Sequence, residues 1–117
     1  MSEGSMERFR RERERLNELV LERAPLEIKR FFSLDGQVYR EGALAAGTKE
    51  MLGLVASLVL RCDDCVRYHL DRLARLGARR EEVMEAMSVA LVVGGSIVIP
   101  HLRRAVAAWA ELESERG

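Results

Sequence analysis

The chain is poor in the residues that interrupt or staple a fold: its 117 residues include two prolines, two cysteines and six aromatic side chains. So few prolines argue against an extended, proline-rich or disordered chain, and so few aromatics leave the core to be filled by aliphatic side chains. The cysteines, Cys62 and Cys65, are too close in sequence to staple a small secreted fold, because the loop they would close removes little unfolded-state entropy. Net charge is also lacking, since 19 basic side chains balance 19 acidic ones. The overall field therefore gives no reason to expect nucleic acid or an anionic membrane as partner. No apolar run reaches the roughly 20 residues that span a bilayer; the longest, Ala86 to Pro100, is interrupted by Gly94-Gly95. The opening residues carry no apolar stretch of the secretory kind, and their acidic residues argue against a transit peptide. A soluble, cytoplasmic, single-domain protein is the expectation.

What is present is charge and helical periodicity. About a third of the residues are charged and about half are hydrophobic. Residues 6–24 interleave arginine and glutamate at i,i+4 spacing, Glu7 with Arg11 and Arg10 with Glu14, around Phe9, Leu16, Leu19 and Val20. That spacing predicts a solvated N-terminal charged helix over residues 1–24, followed by a helical core over 25–117. Pro25 separates the two, and a short apolar helix with Leu26, Phe31, Phe32 and Leu34 is expected to stop at Asp35-Gly36. A further short helical piece is expected around Val38 to Leu44. Gly47 then breaks the chain, and Thr48 caps a helix to Leu60 with Glu50 in its first turn. Val66, Leu70, Leu73 and Leu76 mark a helix from Cys62 that Gly77 ends. Two more helices follow, one opening at Glu81-Glu82 and one carrying Leu102, Val106 and Trp109, which Pro100 bends or starts. The only strand-like pieces, Leu58–Leu60 and Ile97–Ile99, are short, so an all-α bundle of about six helices is predicted.

The chemistry concentrates at Cys62-Asp63-Asp64-Cys65 and His69. On a helix, residues three and four apart share a face, which places both sulfurs and the imidazole on one stripe. A thiol at a helix N-terminus feels the positive end of the dipole, which favours thiolate. Asp63 and Asp64 oppose it. Such a site needs a base, and His69, close along the helix, is the natural candidate. Glu50 in the preceding helix can orient that imidazole if the two helices pack antiparallel. Two other readings of the cysteines stay open at this point. A zinc site would need Glu50 or His101 to complete four ligands, and a structural role would make the cysteines small buried hydrophobes. His101 itself reads as a surface or satisfied core histidine, Met51, Met84 and Met87 as core or interface filler, and Trp109 as packed or interfacial.

Glu50, eleven intervening residues, Cys62-Asp63-Asp64-Cys65, three more and His69 together resemble the signature of the carboxymuconolactone decarboxylase superfamily, in its alkyl-hydroperoxidase-D-like branch. Leu44, Thr48-Lys49-Glu50, Gly77-Ala78, Glu81-Glu82-Val83 and Glu85-Ala86 are similar to the same helical core, over about Leu44 to Gly94. The resemblance implies an all-helical homo-oligomer, trimeric or hexameric; no cofactor or metal is expected. Its implied substrate is a hydroperoxide or a protein disulfide, with a thiol reductant as electron donor. It also implies roles: Cys65 as the attacking thiol, Cys62 as the partner that closes the disulfide, and Glu50 with His69 as proton relay. Where the best-known members carry a second histidine just before the second cysteine, this chain has Asp64, which implies a weaker or different thiol reaction. Two alternatives stand beside the thiol peroxidase: a cofactor-free decarboxylase or isomerase of a small lactone acid, and a non-catalytic redox-sensing oligomer. The apolar length of Ala86 to Ile99, in so small a chain, independently predicts association.

Overall fold

The computed structural model describes residues 4–117. Six helices follow one another, α1 (Ser5–Arg23), α2 (Leu26–Val38), α3 (Ala46–Val59), α4 (Asp63–Arg75), α5 (Arg80–Gly94) and α6 (Ile99–Arg116), with one 3-10 turn over Ser96–Val98 before the last. No strand occurs among the described residues; Leu58 and Val59 close α3, and Ile97 and Val98 belong to the 3-10 turn. The bundle centres on α3 and α4, with α5 packed on α3 and α6 on α4. Its core is aliphatic as expected: Leu54 and Leu58 from α3, Val66, Leu70 and Leu73 from α4, Val83 and Met87 from α5, and Ala105, Trp109 and Leu112 from α6. Among the described residues no helix is long and apolar enough to cross a membrane.

The charged first helix is not wholly solvated. Met6 is completely buried, and Glu111 of α6 fixes it there by accepting from the Ser5 hydroxyl at 2.7 Å and the Met6 amide at 3.2 Å. Burial alone would push the Glu111 carboxyl up, but these donors hold it below the usual glutamate range. One turn on, Arg10 reaches Asp71 of α4 at 3.0 Å and Glu115 of α6 at 3.1 Å. Beyond that point the outer half of α1 and all of α2 stand off the core. The radius of gyration is accordingly 14.8 Å, against about 13.4 Å for a compact chain of this length.

Three local expectations are corrected. Gly36 does not stop α2, which continues through it to Val38; on an exposed helix the missing Cβ costs stability without breaking the turn. No helical piece follows over 38–44. Instead Lys49 donates to the carbonyls of Val38 at 2.8 Å and Arg40 at 2.6 Å, and Gly42 N–H turns back to the Leu44 carbonyl, leaving a bent loop. Thr48 is not a cap and Gly47 is not a break, because α3 begins at Ala46 after an extended Ala45 with no side-chain cap. Glu50 therefore sits past the first turn, on the inward face.

Both helices of the central pair end in the same way. At the end of α4, Ala78 N–H bonds the Leu73 carbonyl and Gly77 N–H the Ala74 carbonyl, with Gly77 at φ +82°. At the end of α3, Cys62 N–H bonds the Ser57 carbonyl and Arg61 N–H the Leu58 carbonyl, with Arg61 at φ +61°. This is the Schellman arrangement, in which the left-handed residue is ordinarily glycine. Arg61 occupies that conformation with a Cβ, at some cost. Arg61→Gly is expected to raise the unfolding free energy by about 0.5–1 kcal/mol in denaturant unfolding, whereas Gly77→Ala lowers it by a similar amount. A destabilised Arg61→Gly would show that this side chain contributes more than the strain removes.

Candidate active site at the start of the fourth helix

The Arg61 turn sets the direction from which the chain enters α4, and it leaves Cys62 as the N-cap rather than a member of the helix. Cys62 Sγ accepts from the Cys65 amide at 3.2 Å. The expectation that both sulfurs ride one helical stripe with His69 is thus refined: Cys65 and His69 are helical, while Cys62 lies off the helix and above its first turn. With Cα atoms 5.3 Å apart, Cys62 and Cys65 form a disulfide, a separation within the usual range for such a bond. Cys65 is the exposed residue of the pair and Cys62 the half-buried one.

One turn beyond Cys65, His69 points into the crevice between α3 and α4 and meets Glu50, as the antiparallel packing of those helices requires. Its Nδ1 lies 2.7 Å from Glu50 Oε2. Glu50 is only 2 % exposed, so its carboxylate must be compensated by partners. Arg72 Nε, 3.9 Å from Oε1, supplies a second. An ionised carboxylate can only accept, so the ring nitrogen facing it, Nδ1, is the donor. His69 and Cys65 line one cavity of about 690 Å³, walled on the other side by Phe9, Arg13 and Leu16 of α1 and by Tyr39.

Several residues that hold this pair are not evident from motif or periodicity. Gly53 faces the His69 ring so closely that a Cβ there would lie 2.5 Å from Cε1. The visible signal is a lone glycine inside a helical pattern, which usually has a packing reason. Tyr39, at the end of α2, meets the ring at a tilt with centroids 5.3 Å apart, and Tyr68 meets it edge-on at 5.4 Å. Burial first, then the charges of Asp35 and Glu50, push the Tyr39 phenol up. The Arg13 guanidinium covers the outer face of Tyr68 at 4.1 Å.

The two acids between the cysteines are both paired. Asp64 bonds Arg67 at 3.1 Å in the open. Asp63 turns the other way and is held by α6: His101 Nδ1 lies 2.8 Å from Oδ1, and Arg104 Nε donates to Oδ2 at 2.8 Å. Burial would push the Asp63 carboxyl up, but these two bonds and the Arg104 charge outweigh it and hold it below the usual carboxylate range. His101 is therefore a satisfied histidine, tied to the cysteine turn. No cluster of three or more potential metal ligands occurs among the described residues.

An all-α bundle that carries a Cys-x-x-Cys disulfide at a helix start, one turn from a buried carboxylate–imidazole pair, is a helical thiol–disulfide module. The chain belongs to the carboxymuconolactone decarboxylase family, whose model matches residues 25–109. Two crystal structures of one Thermotoga maritima protein share 60% and 59% identity with it at TM-scores of 0.91 and 0.90, covering 93% of this chain and 96% and 92% of theirs. One of these describes a carboxymuconolactone decarboxylase family protein with a suggested part in the antioxidative response. A family member from Legionella pneumophila, in its apo form, has the same fold at 24% identity and a TM-score of 0.83, covering 92% of this chain and 96% of its own. The uncharacterized protein 4 in the cox locus of Paracoccus denitrificans is 30% identical over 83 residues, 71% of this chain and 75% of that protein.

Gly53→Ala tests the packing that seats His69. Despite the better helix propensity of alanine, overpacking is expected to cost about 1–3 kcal/mol in denaturant unfolding and to shift the NMR titration of the His69 ring. Unchanged stability together with an unchanged His69 titration would show that the glycine is not needed.

Proposed function

We propose that the protein is a thiol-dependent oxidoreductase that reduces hydroperoxides or partner disulfides through Cys65 and Cys62. The observation that carries this reading is the cavity shared by the exposed Cys65 of a closed Cys62–Cys65 disulfide and an imidazole oriented by a buried carboxylate. In the reduced protein, His69 Nε2 takes the Cys65 proton while Glu50 stabilises the imidazolium. The Cys65 thiolate attacks one peroxide oxygen, the O–O bond breaks, and the leaving alkoxide receives a proton to become an alcohol. Cys65 is then a sulfenic acid. The Cys62 sulfur displaces its hydroxyl as water and closes the disulfide, which two electrons and two protons from an external dithiol reopen.

Cys65→Ser is expected to abolish turnover of cumene hydroperoxide with dithiothreitol as reductant, and Glu50→Gln or His69→Gln to lower kcat/KM by about 10²- to 10⁴-fold. A Cys65→Ser variant with full activity would overturn the reading. If alkylation of both thiols leaves an activity on small lactone acids intact, the Glu50–His69 pair instead serves cofactor-free decarboxylation or isomerisation. Reversible disulfide formation without peroxide consumption would make the protein a redox sensor.

The same reading includes self-association, supported by apolar side chains that the fold leaves uncovered. Phe31 of α2, Leu60 after α3, and Val92 and Val93 of α5 are between 67% and 84% exposed, and uncovered apolar side chains mark association surfaces where they group together. Sedimentation at micromolar concentration is expected to show a trimer or hexamer, and Val92→Glu a smaller species. A monomeric wild type would refute association.

A further inference from the structure

We propose that Arg104 and His101 are positioning residues for the thiol chemistry: by holding the Asp63 carboxylate, they neutralise the charge that would otherwise suppress the Cys62 thiolate. This rests on the reading that the Cys62–Cys65 pair cycles between disulfide and dithiol.

Asp63 lies directly between Cys62 and the rest of the helix start, where a positive dipole end and the Cys65 amide favour negative charge on the cap sulfur. A free carboxylate beside it cancels that advantage. Here it is not free. Arg104 Nε donates to Oδ2 at 2.8 Å and His101 Nδ1 lies 2.8 Å from Oδ1, so both oxygens are covered from a helix 38 and 41 residues away. The geometry also settles the histidine proton. Nδ1 lies 3.2 Å from Arg104 Nη2, but it cannot accept there and also face Oδ1 with a lone pair. Nδ1 therefore carries a hydrogen and donates it to Asp63, and the arginine supplies permanent charge.

The other charged groups around Cys62 do not do this work. Asp64 is paired with Arg67 on the opposite side of the turn, and His69 is committed to Glu50. Arg61, which adjoins Cys62 on the chain and has no bonded carboxylate among the described residues, adds positive charge of its own but holds neither oxygen of Asp63. The segment of α5 and the turn leading into α6, Leu91 to Val98, carries no ionisable side chain.

The consequence can be written for reduction by glutathione. Two glutathione thiols give two electrons to the Cys62–Cys65 bond, which breaks. Oxidised glutathione forms, and the protein keeps one thiol and one thiolate while a proton goes to solvent. Whatever favours the thiolate favours the reduced side.

The test uses the full chain. In a Cys65→Ser background Cys62 is the only thiol, and its thiolate is followed by absorbance at 240 nm against pH and by the rate of alkylation with iodoacetamide. Arg104→Gln, alone or with His101→Gln, is expected to lower the thiolate fraction of Cys62 at neutral pH three- to tenfold. Adding Asp63→Asn is expected to restore it, and Arg104→Lys to retain most of it. With both cysteines present, Arg104→Gln is expected to shift the glutathione equilibrium toward the disulfide by up to tenfold, about 30 mV. If the cluster only ties α6 to α4, Asp63→Asn will do the same harm as Arg104→Gln and will rescue nothing, and the proposal is overturned. An unchanged Cys62 titration in a folded Arg104→Gln variant, judged by its helical circular dichroism, also overturns it. A wild-type disulfide that no thiol can reopen would overturn this proposal and the oxidoreductase reading together. A pair that cycles and shifts as described without consuming peroxide would leave this one standing.

Discussion

The 2.7 Å contact between His69 Nδ1 and Glu50 Oε2 is the constraint to which the rest of the site conforms. A carboxylate this deeply buried is tolerated only with donors in place, so α3 and α4 must cross where the imidazole can reach it. That crossing explains the glycine at position 53, where any side chain would occupy the ring's volume. It also explains the aromatic pair: Tyr39 and Tyr68 close over the imidazole and limit its rotation. Lys49 extends the arrangement outward by holding the carbonyls on either side of Tyr39, and so ties the otherwise loosely attached α2 to the residue before Glu50.

With His69 fixed, the beginning of α4 is fixed as well. The chain must turn sharply between the buried end of α3 and the first turn of α4, and it does so through a left-handed residue at Arg61. The turn delivers Cys62 to the cap position, half-buried, and Cys65 to the first turn of the helix, exposed. Two acidic residues in a first turn are what a helix dipole favours, yet beside two thiols they are an electrostatic burden. Each is answered separately, Asp64 locally by Arg67 and Asp63 remotely by His101 and Arg104. An exposed i,i+3 pair is weak and screened. The partly buried cluster on Asp63 is the stronger of the two.

The periphery follows a different logic. The first turns of α1 are anchored through Met6, Glu111 and Arg10, which places Phe9, Arg13 and Leu16 opposite Cys65 and closes the far wall of the cavity. The last turns of α1 and the apolar residues of α2 stay largely exposed, and the radius of gyration is correspondingly large.

Much of this was legible in sequence because it depends on short spacings. Helical periodicity, the Gly77 stop, the break at Gly94-Gly95 and the placing of Cys62, Cys65 and His69 near one helix start all follow from residues within a turn or two of each other, where backbone geometry is nearly invariant. Glu50 was within reach because an antiparallel pair of helices with a short connection has few ways to pack. The errors were local as well: Gly36, Gly47 and Thr48 carry turn and cap signals that neighbouring helix propensity overrides. The contacts made by Gly53, Tyr39, His101 and Arg104 depend on where α3, α2 and α6 cross α4. A crossing is set by the sum of many aliphatic contacts in the core and, apart from the lone glycine at position 53, leaves no mark at the residues it brings together. The sequence determined by itself a helical chain with a thiol pair at a helix N-terminus and an imidazole within reach of Glu50; the tertiary structure alone decided which cysteine is exposed, what packs around that imidazole and which arginine answers the acid between the cysteines.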